Sequence, residues 1–337
     1  MNIEKLIRPN ILKLKPYASA RTEFSGKASI YLDANESPYG AFNRYPDPYQ
    51  QDLKKKIAEI KSISTSNIFL GNGSDEILDL AFRIFCRPGM DKALSFFPSY
   101  GMYDVSAAIN DVELIQLPLN ANFQIDFDVL KMYLYDPQLK LLLICSPNNP
   151  TGNTLEGLEA ILSEFPGIVI IDEAYIDFSQ KPSWLSTLDD YPNLITLQTL
   201  SKSYGLAALR IGMAFAGEAI INYFNRVKPP YNISLVNQEA ALKSLSDYSR
   251  ITSQINEVRE QRALLAAELQ SMGLTVYPSD ANFLLVEVNN STQVYQTLVG
   301  RGIIIRNRNS VMKNCIRITV GTPAENFELI KALKEIV

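Results

Sequence analysis

The 337-residue chain contains no histidine. Histidine is the most common general base in enzymes and a frequent ligand of zinc and iron. Its absence excludes a Ser/His/Asp arrangement and most zinc and iron sites. Any catalysis by this chain must therefore use lysine, carboxylates, tyrosine or a bound cofactor, and we expect no metal site.

Cysteine is scarce as well. The three cysteines, Cys86, Cys145 and Cys315, are widely spaced and odd in number. This pattern predicts neither a disulfide framework nor a metal cluster. Because free thiols are typical of a reducing compartment, we expect the protein in the cytoplasm.

Long apolar runs are also missing. No stretch reaches the roughly 18 apolar residues that a membrane-spanning helix requires, and the N-terminal residues MNIEKLIRPNILKLKPY carry charges every few positions, unlike a signal peptide. The net charge of -4 comes without a long basic cluster, which argues against a nucleic-acid partner. We therefore expect a soluble protein that acts on small molecules, with no membrane and no nucleic acid among its partners.

What the sequence does contain is a series of short apolar runs, each ending in polar residues. Continuous β-branched runs separated by helical patterns predict a mostly parallel sheet that is buried on both faces. In such sheets, ligands bind at the carboxyl ends of the strands. Asn149, Asp172 and Lys202 each follow one of these runs, so we expect them to meet at one site. The predicted strands are Ile68–Leu70, Leu141–Cys145, Ile168–Ile171 and Leu194–Leu200, and a helix is predicted from about Ser74.

The pattern changes after about residue 235. Residues 237–271 are rich in Ala, Glu, Gln and Leu and contain no proline, which predicts a long helical stretch. Three later apolar segments and a closing helix predict a smaller α+β layer. The segments are residues 274–288, 301–308 and 315–321, and the helix covers residues 323–337. We therefore predict a large domain over residues 34–235 and a small domain formed by residues 1–33 and 236–337.

Each polar cluster has an ordinary structural explanation when it is taken alone. In GNGSDE, Gly71 and Gly73 permit a tight turn, and the backbone amides of the following helix could hold an anion or could simply be capped. Asp172 could be only a helix N-cap, and SPNNPTG could be only a turn. Tyr100 could be an ordinary core residue.

The combination of clusters is more informative than any one of them. A phosphate site at Gly73–Asp75, an acid at Asp172, a phenol at Tyr175, a lysine at Lys202 and an arginine at Arg210 match the requirements of pyridoxal phosphate. Lysine bonds to the aldehyde of this cofactor, and an aspartate keeps the pyridine nitrogen protonated so that the ring can accept electrons. The lysine, once displaced by a substrate, can carry protons.

The motifs SPNNPTG, DEAY and SKSYGLAALRIG resemble those of the aspartate aminotransferase superfamily, the pyridoxal-phosphate enzymes of fold type I. The full set is similar to histidinol-phosphate aminotransferases nearly from end to end. It also includes PYASAR, LDANESPYG, RYPDP, GNGSDE, FPSYGMY, DANFLLV and CIRITVGT. This resemblance implies an α/β fold with a mostly parallel seven-stranded sheet between helices, a smaller α+β domain and a homodimer.

The resemblance also implies a role for each site residue. Lys202 would be the catalytic residue that holds the cofactor aldehyde, and Asp172 would contact the ring nitrogen. Tyr175 and Asn149 would bond the ring hydroxyl, and Tyr100 would stack on the ring. The cofactor phosphate would be held by residues around the helix start, together with a tyrosine from a neighbouring subunit. These residues are Ser74, Asp75, Thr199, Ser201 and Arg210, with Tyr45 as the tyrosine.

Two arginines near the ends of predicted strands, Arg306 and Arg317, could clamp an anionic substrate tail or could be solvated residues. By resemblance, they would hold the phosphate of histidinol phosphate and, in the other half reaction, a carboxylate of glutamate. Tyr17 would lie near the substrate. The implied reaction is a reversible transamination between L-histidinol phosphate and 2-oxoglutarate, a step of histidine biosynthesis.

Three alternatives remain open from the sequence. An aromatic amino acid aminotransferase would keep every cofactor residue and differ only in the substrate pocket. A threonine-phosphate decarboxylase would also use arginines for a phosphate but would release carbon dioxide. A cofactor-binding regulator without turnover is disfavoured by the intact Lys202 and by the absence of an appended DNA-binding segment.

Overall fold

A computed structural model describes residues 2–17 and 28–337 of the chain. The larger of its two sheets consists of β1 (Ile68–Asn72), β2 (Lys92–Phe97), β3 (Glu113–Pro118), β4 (Leu139–Cys145), β5 (Ile168–Asp172), β6 (Leu194–Thr199) and β7 (Ile211–Ala216). The order across this sheet is β1-β7-β6-β5-β4-β2-β3. Strand β7 runs antiparallel to both of its neighbours, and the remaining pairings are parallel. The mostly parallel seven-stranded sheet expected from the resemblance is confirmed.

The smaller sheet is antiparallel throughout. It consists of β8 (Thr275–Val276), β9 (Phe283–Glu287), β10 (Arg306–Asn307) and β11 (Cys315–Thr319), in the order β10-β11-β9-β8.

The α-helices among the described residues are α1 (Pro9–Leu12), α2 (Gln51–Lys61), α3 (Ser74–Phe85), α4 (Met102–Ile109), α5 (Phe127–Lys131), α6 (Leu158–Glu164), α7 (Glu218–Val227), α8 (Leu235–Leu245), α9 (Tyr248–Ser271), α10 (Ser291–Gly300) and α11 (Pro323–Lys334). Short 3-10 helices cover Ile3–Leu6, Thr65–Asn67, Ile176–Phe178, Trp184–Thr187 and Ala207–Leu209. None of the helices in this part of the chain is both long enough and apolar enough to cross a membrane.

The central strands are buried on both faces because their alternate side chains enter two different cores. Leu141 and Ile168 belong to the core that also contains the apolar face of α3. Leu142 and Val169, one residue further along each strand, belong to the core on the opposite face. A strand that buries every side chain has a nearly continuous apolar sequence. These strands could therefore be predicted from the sequence.

The smaller sheet has one face covered by helices. Leu265 of α9, Leu298 of α10 and Leu333 of α11 share a core with Leu284 and Ile316 of the sheet. Because side chains alternate along a strand, Phe283 and Arg317 face the other way, toward the larger sheet.

Two predicted elements differ from those observed. The helical stretch expected over residues 237–271 is interrupted, because Asp247 accepts a hydrogen bond from the backbone amide of Arg250 and starts the new helix α9. The strand expected over residues 301–308 is reduced to β10. Gly302, with a φ of 77°, belongs to the turn that follows α10.

The N-terminal helix packs against the larger sheet's helical layer. Ile7 and Ile11 lie in the same core as α3, and the backbone amide of Arg8 donates to the carbonyl of Ile84 at 2.9 Å. The domain boundaries at residues 33 and 235 remain a prediction. These contacts favour a revised proposal in which helix α1 is counted with the large domain.

Candidate active site

The carboxyl ends of β4, β5 and β6 and the start of α3 surround one pocket with about 480 Å³ of empty space. This is the edge of a parallel sheet at which ligands are expected to bind. With the exception of Tyr45, every residue that the resemblance assigns to the cofactor lines this pocket. The lining residues are Ser74, Asp75, Tyr100, Cys145, Asn149, Asp172, Ala174, Tyr175, Thr199, Ser201, Lys202 and Arg210.

Helix α3 begins at the pocket and presents its first backbone amides to it. Gly73 precedes the helix with a φ of 80°, a conformation that favours glycine. The amides of Ser74 and Asp75 have no acceptor within the helix, so they are suited to an anion. Gly212 of β7 lies against the backbone of Gly73 and Ser74 and leaves no room for a Cβ atom. The guanidinium of Arg210 completes this end of the pocket, 3.5 Å from the Asp75 carboxylate.

Asp172 ends strand β5 and is 3% exposed. One carboxylate oxygen accepts a hydrogen bond from the Tyr103 hydroxyl at 3.0 Å, and the other accepts from the backbone amide of Ala174 at 3.2 Å. Burial raises the pKa of Asp172 to about 6, although both hydrogen bonds oppose this rise. A buried carboxylate that has only neutral hydrogen-bond donors is ready to pair with a cationic group.

Lys202 follows β6 in a turn that its own carbonyl helps to close, by accepting from the amide of Gly205 at 3.2 Å. Its side chain is accessible from the pocket, and its Nζ atom lies 5.7 Å from the centre of the Tyr175 ring. The surrounding protein atoms and the positive charge of Arg317 lower the pKa of Lys202, whereas Asp172 acts in the opposite direction. The lysine is therefore more easily converted to the neutral, nucleophilic amine.

Two residues on the pocket wall are fixed by local hydrogen bonds. The Tyr100 hydroxyl donates to the Asp75 carboxylate at 3.1 Å. Thr199 accepts a hydrogen bond from the backbone amide of Ser201 at 3.1 Å and donates to the carbonyl of Ile211 at 3.3 Å.

The smaller sheet reaches the pocket through Arg317. Its Nη1 atom donates to the side-chain oxygen of Asn149 at 2.5 Å, and the Asn149 amide donates to the Tyr175 hydroxyl at 3.2 Å. The Arg317 Nε atom is buried without a hydrogen-bond partner among the described residues. Burial lowers the pKa of Arg317, and nearby Arg306 lowers it further.

The remaining predicted site residues lie outside this pocket. Arg306 is exposed and pairs in register with Arg317. Tyr45 stacks on Tyr231 with ring centres 4.4 Å apart, and Tyr17 is 68% exposed. Most of the PYASAR motif, residues 18–21, lies outside the described residues.

Sequence reasoning missed two residues of interest. Tyr103 lies in the FPSYGMY motif but was given no role, because its contact with Asp172 joins segments that are far apart in the chain. Arg308 could have been found, since it follows Arg306 by two residues in the strand predicted over residues 301–308, and alternate residues of a strand share a face. Burial lowers the pKa of Arg308, and the charges of Arg317 and Arg306 lower it further. Its Nε atom is buried without a partner in the described part of the chain.

The described residues contain no group of carboxylate and thiol side chains that could hold a metal ion. The pocket itself offers a lysine amine, a buried carboxylate and an anion site at a helix start.

Comparisons with known proteins agree with this arrangement. The family model of class I and II aminotransferases matches residues 27–333. The histidinol-phosphate aminotransferase of Bacteroides fragilis is 50% identical over 341 residues, which cover 99% of each chain. That of Parabacteroides distasonis is 49% identical over 340 residues, covering 99% of this chain and 98% of the relative.

Solved structures are similar as well. The histidinol-phosphate aminotransferase from Clostridium acetobutylicum has a TM-score of 0.80 at 25% identity and covers 88% of this chain and 91% of its own. The enzyme from Sinorhizobium meliloti, solved in complex with pyridoxal-5'-phosphate, has a TM-score of 0.78 at 25% identity, with coverage of 90% and 89%. The present chain belongs to the class I and II aminotransferase family.

Proposed function

We propose that this protein is a pyridoxal-phosphate-dependent histidinol-phosphate aminotransferase. The observation that carries the proposal is the meeting of Lys202, Asp172 and the start of α3 in one pocket, with Arg317 entering from the smaller sheet. The names and full-length similarity of the relatives support the same activity.

The donors and acceptors of the pocket fit pyridoxal phosphate. Its phosphate would be held at the α3 start, where free amides and a guanidinium favour a dianion. Asp172 would contact the ring nitrogen, Asn149 and Tyr175 would contact the ring hydroxyl, and Tyr100 would cover the ring face. The phosphate group would contact Ser74, Asp75, Thr199, Ser201 and Arg210.

When bound, pyridoxal phosphate supplies an aldehyde for the amine of Lys202 and a protonated ring that accepts electrons during amino-group transfer. The lowered pKa of Lys202 favours the neutral amine, which is the nucleophilic form. The same Nζ atom would move the proton that transamination requires. No histidine is needed for this step.

The substrate would be recognised at the smaller sheet. Arg306 and Arg317 are neighbours across two strands, and the structure records no carboxylate bonded to either among the described residues. Two such guanidinium groups are suited to a phosphate or carboxylate tail. Glutamate would give up its amino group and leave as 2-oxoglutarate, and imidazole acetol phosphate would accept the amino group to become histidinol phosphate. We propose that Tyr17 lies near this substrate in the assembled enzyme.

We propose that the enzyme is a homodimer in which Tyr45 reaches the cofactor phosphate of the partner. Several large apolar side chains in the segment that precedes Tyr45 are exposed in the single chain, and they include Ile30 at 74%, Tyr39 at 84% and Phe42 at 71%. Exposed apolar clusters of this kind mark protein interfaces. The cysteines are free and buried, which supports the prediction of a cytoplasmic protein.

The activity can be tested with purified protein and its cofactor. Glutamate and imidazole acetol phosphate should yield 2-oxoglutarate, and Lys202→Ala should abolish the reaction because no other lysine among the described residues lines the pocket. Near-normal turnover by Lys202→Ala would contradict the role of this lysine. Release of carbon dioxide from threonine phosphate, without transamination, would identify the decarboxylase alternative instead.

A further inference from the structure

Tyr103 is the last residue of the FPSYGMY motif, and none of the roles above includes it. It lies in helix α4, its side chain is 1% exposed, and its hydroxyl is 3.0 Å from Oδ2 of Asp172. Ala174 provides the partner of Oδ1. Each oxygen of the Asp172 carboxylate thus has one neutral donor from the protein.

The direction of this hydrogen bond is fixed by the phenol. Burial, together with the nearby Asp172 charge, raises the pKa of Tyr103 well above its ordinary value. Tyr103 therefore keeps its proton and donates it to Asp172. A carboxylate is a stronger acceptor than a carboxylic acid, so the bond favours the ionised form of Asp172.

Burial acts on Asp172 in the opposite direction. It raises the pKa of this carboxyl to about 6, and the Tyr103 bond is the largest effect that opposes it. A pyridine nitrogen is held protonated only by an ionised carboxylate. Without a strong donor, Asp172 would approach neutrality near physiological pH.

We propose that Tyr103 is a positioning residue that keeps Asp172 ionised and oriented toward the pocket. The inference rests on the proposed function, because it gives Asp172 the task of pairing with the cofactor ring. Tyr103 itself does not line the pocket, so it acts through the carboxylate.

Other charged and titratable groups also surround Asp172. Asp75 at the start of α3 raises its pKa, and Lys202 after β6 lowers it. Cys145 lies beside it in register at the end of β4, and the Tyr100 and Tyr175 hydroxyls also interact with it. Burial raises the pKa of the Cys145 thiol, Tyr100 and Tyr175, so these three groups stay neutral.

The test is a carboxyl titration of the full-length protein labelled with ¹³C at the aspartate side chains, recorded without and with pyridoxal phosphate. Asp172→Asn identifies the Asp172 resonance. In the cofactor-free protein, Tyr103→Phe should raise the Asp172 pKa by about 1–2 units, the equivalent of one charge-assisted hydrogen bond. Tyr223→Phe, which changes another buried tyrosine, should leave it unchanged. An unaltered Asp172 pKa in folded Tyr103→Phe overturns the inference.

A substitute for Tyr103→Phe and a separate measurement of cofactor binding complete the test. If Tyr103→Phe does not fold, wild-type protein carrying 3-fluorotyrosine replaces it; the more acidic phenol should lower the Asp172 pKa, and no change overturns the inference. Cofactor binding is measured separately. Protein that binds pyridoxal phosphate but shows no Tyr103 effect contradicts only this inference, whereas protein that shows the effect but binds no pyridoxal phosphate contradicts only the proposed function.

Discussion

Asp172 places a buried carboxylate where a cofactor needs one, and this placement is unfavourable for the protein on its own. Its pKa is raised to about 6 in the folded chain, whereas an unfolded aspartate titrates near pH 3.9. The folded chain therefore binds this proton more tightly than the unfolded chain. With respect to this group, the free energy of unfolding falls as the pH rises from about 4 to about 6 and is constant above that.

Asp172→Asn should therefore stabilise the cofactor-free protein while it impairs the enzyme. Above pH 6 we expect the variant to have a higher free energy of unfolding than wild type, by up to about 3 kcal/mol, because two pKa units correspond to about that amount. The difference should vanish near pH 4. Turnover should fall by about 100-fold or more, because the ring loses its anionic partner.

Urea unfolding of both proteins between pH 4 and pH 8 measures this difference. The buried Glu173, whose pKa is raised to about 7, is present in both proteins and cancels. If wild type and Asp172→Asn have the same free energy of unfolding at every pH, or the same kcat, Asp172 would only stabilise the turn that follows β5.

At the same scale, the sequence predicted residue types better than residue contacts. Lys202, Asp172 and Asn149 were found because each follows an apolar run, and the pocket brings them together. The Tyr103 bond could not be predicted, because it depends on where the folded chain places the first turn of helix α4 relative to the end of strand β5. Tyr45 and Tyr17 were singled out by resemblance alone, and the single chain leaves them away from the pocket.

At the scale of elements, the close approach of β7 to the start of α3 is a structural requirement of the pocket. A Cβ atom at Gly212 would collide with the backbone of Gly73 and Ser74. Gly212→Ala should therefore shift the helix start, lower the free energy of unfolding by about 1–3 kcal/mol and weaken cofactor binding.

Gly217→Ala is the matched control, because a Cβ atom at that position meets nothing within 4 Å. Urea unfolding and cofactor titration of the two variants provide the comparison. Wild-type stability and affinity in Gly212→Ala would show that β7 and the helix start can separate without loss.

The pairing of β10 with β11 brings Arg306 and Arg317 together. The prediction about substrate recognition depends on this pair of strands. Replacing either arginine by alanine should lower kcat/KM for histidinol phosphate by about 10- to 150-fold, the loss of a charge-assisted hydrogen bond of about 1.5–3 kcal/mol. Arg317→Lys should also be impaired, because an ammonium cannot reproduce the planar guanidinium. Histidinol, which lacks the phosphate, should respond little.

Arg301→Ala serves as the control variant, since Arg301 lies in the same small layer but at the end of α10, where it pairs with Glu335. Cofactor affinity is measured in parallel because Arg317 also bonds Asn149. Equal losses for histidinol and histidinol phosphate would assign these arginines to the fold instead.

Strands were predictable where every side chain is buried. Helix breaks and short strands were less predictable, because single side chains and turns determine where they begin and end. The observed bounds of β4, β5 and β6 lie within two residues of the predicted ones, because every residue in the predicted runs except Gln198 is apolar or β-branched. The break before α9 depends on one aspartate side chain, and β10 is two residues long. Neither the helix break nor the short strand changes the spacing of apolar residues from which helices and strands are predicted.

At the scale of the whole molecule, the mostly parallel sheet and the smaller α+β layer followed from the order of apolar runs and from the resemblance. The homodimer was implied by the resemblance alone and stays a prediction, because an interface is distinguished from an ordinary surface only after the chain has folded. Phe42 and Tyr45 line one groove together with Tyr231 and Val236. This groove is the surface that we expect a second copy to cover.

If the proposed dimer forms there, Phe42→Glu should weaken it and reduce activity together, because a buried charge without a partner is costly and Tyr45 would be withdrawn from the partner's site. Met132→Glu is the control, since Met132 is 73% exposed and Phe42 is 71% exposed. Sedimentation measures the assembly and transamination measures the activity. A monomeric wild-type enzyme with full activity would contradict the shared site.

The central claim is that the pocket of Lys202 and the arginines of the smaller sheet together select a phosphorylated substrate. The most direct measurement is the ratio of kcat/KM for imidazole acetol phosphate to kcat/KM for phenylpyruvate, with glutamate as the amino donor for both. We predict a ratio above about 10, since one charge-assisted hydrogen bond to the phosphate is worth at least that factor. A ratio of 1 or below would contradict the account and identify an aromatic amino acid aminotransferase.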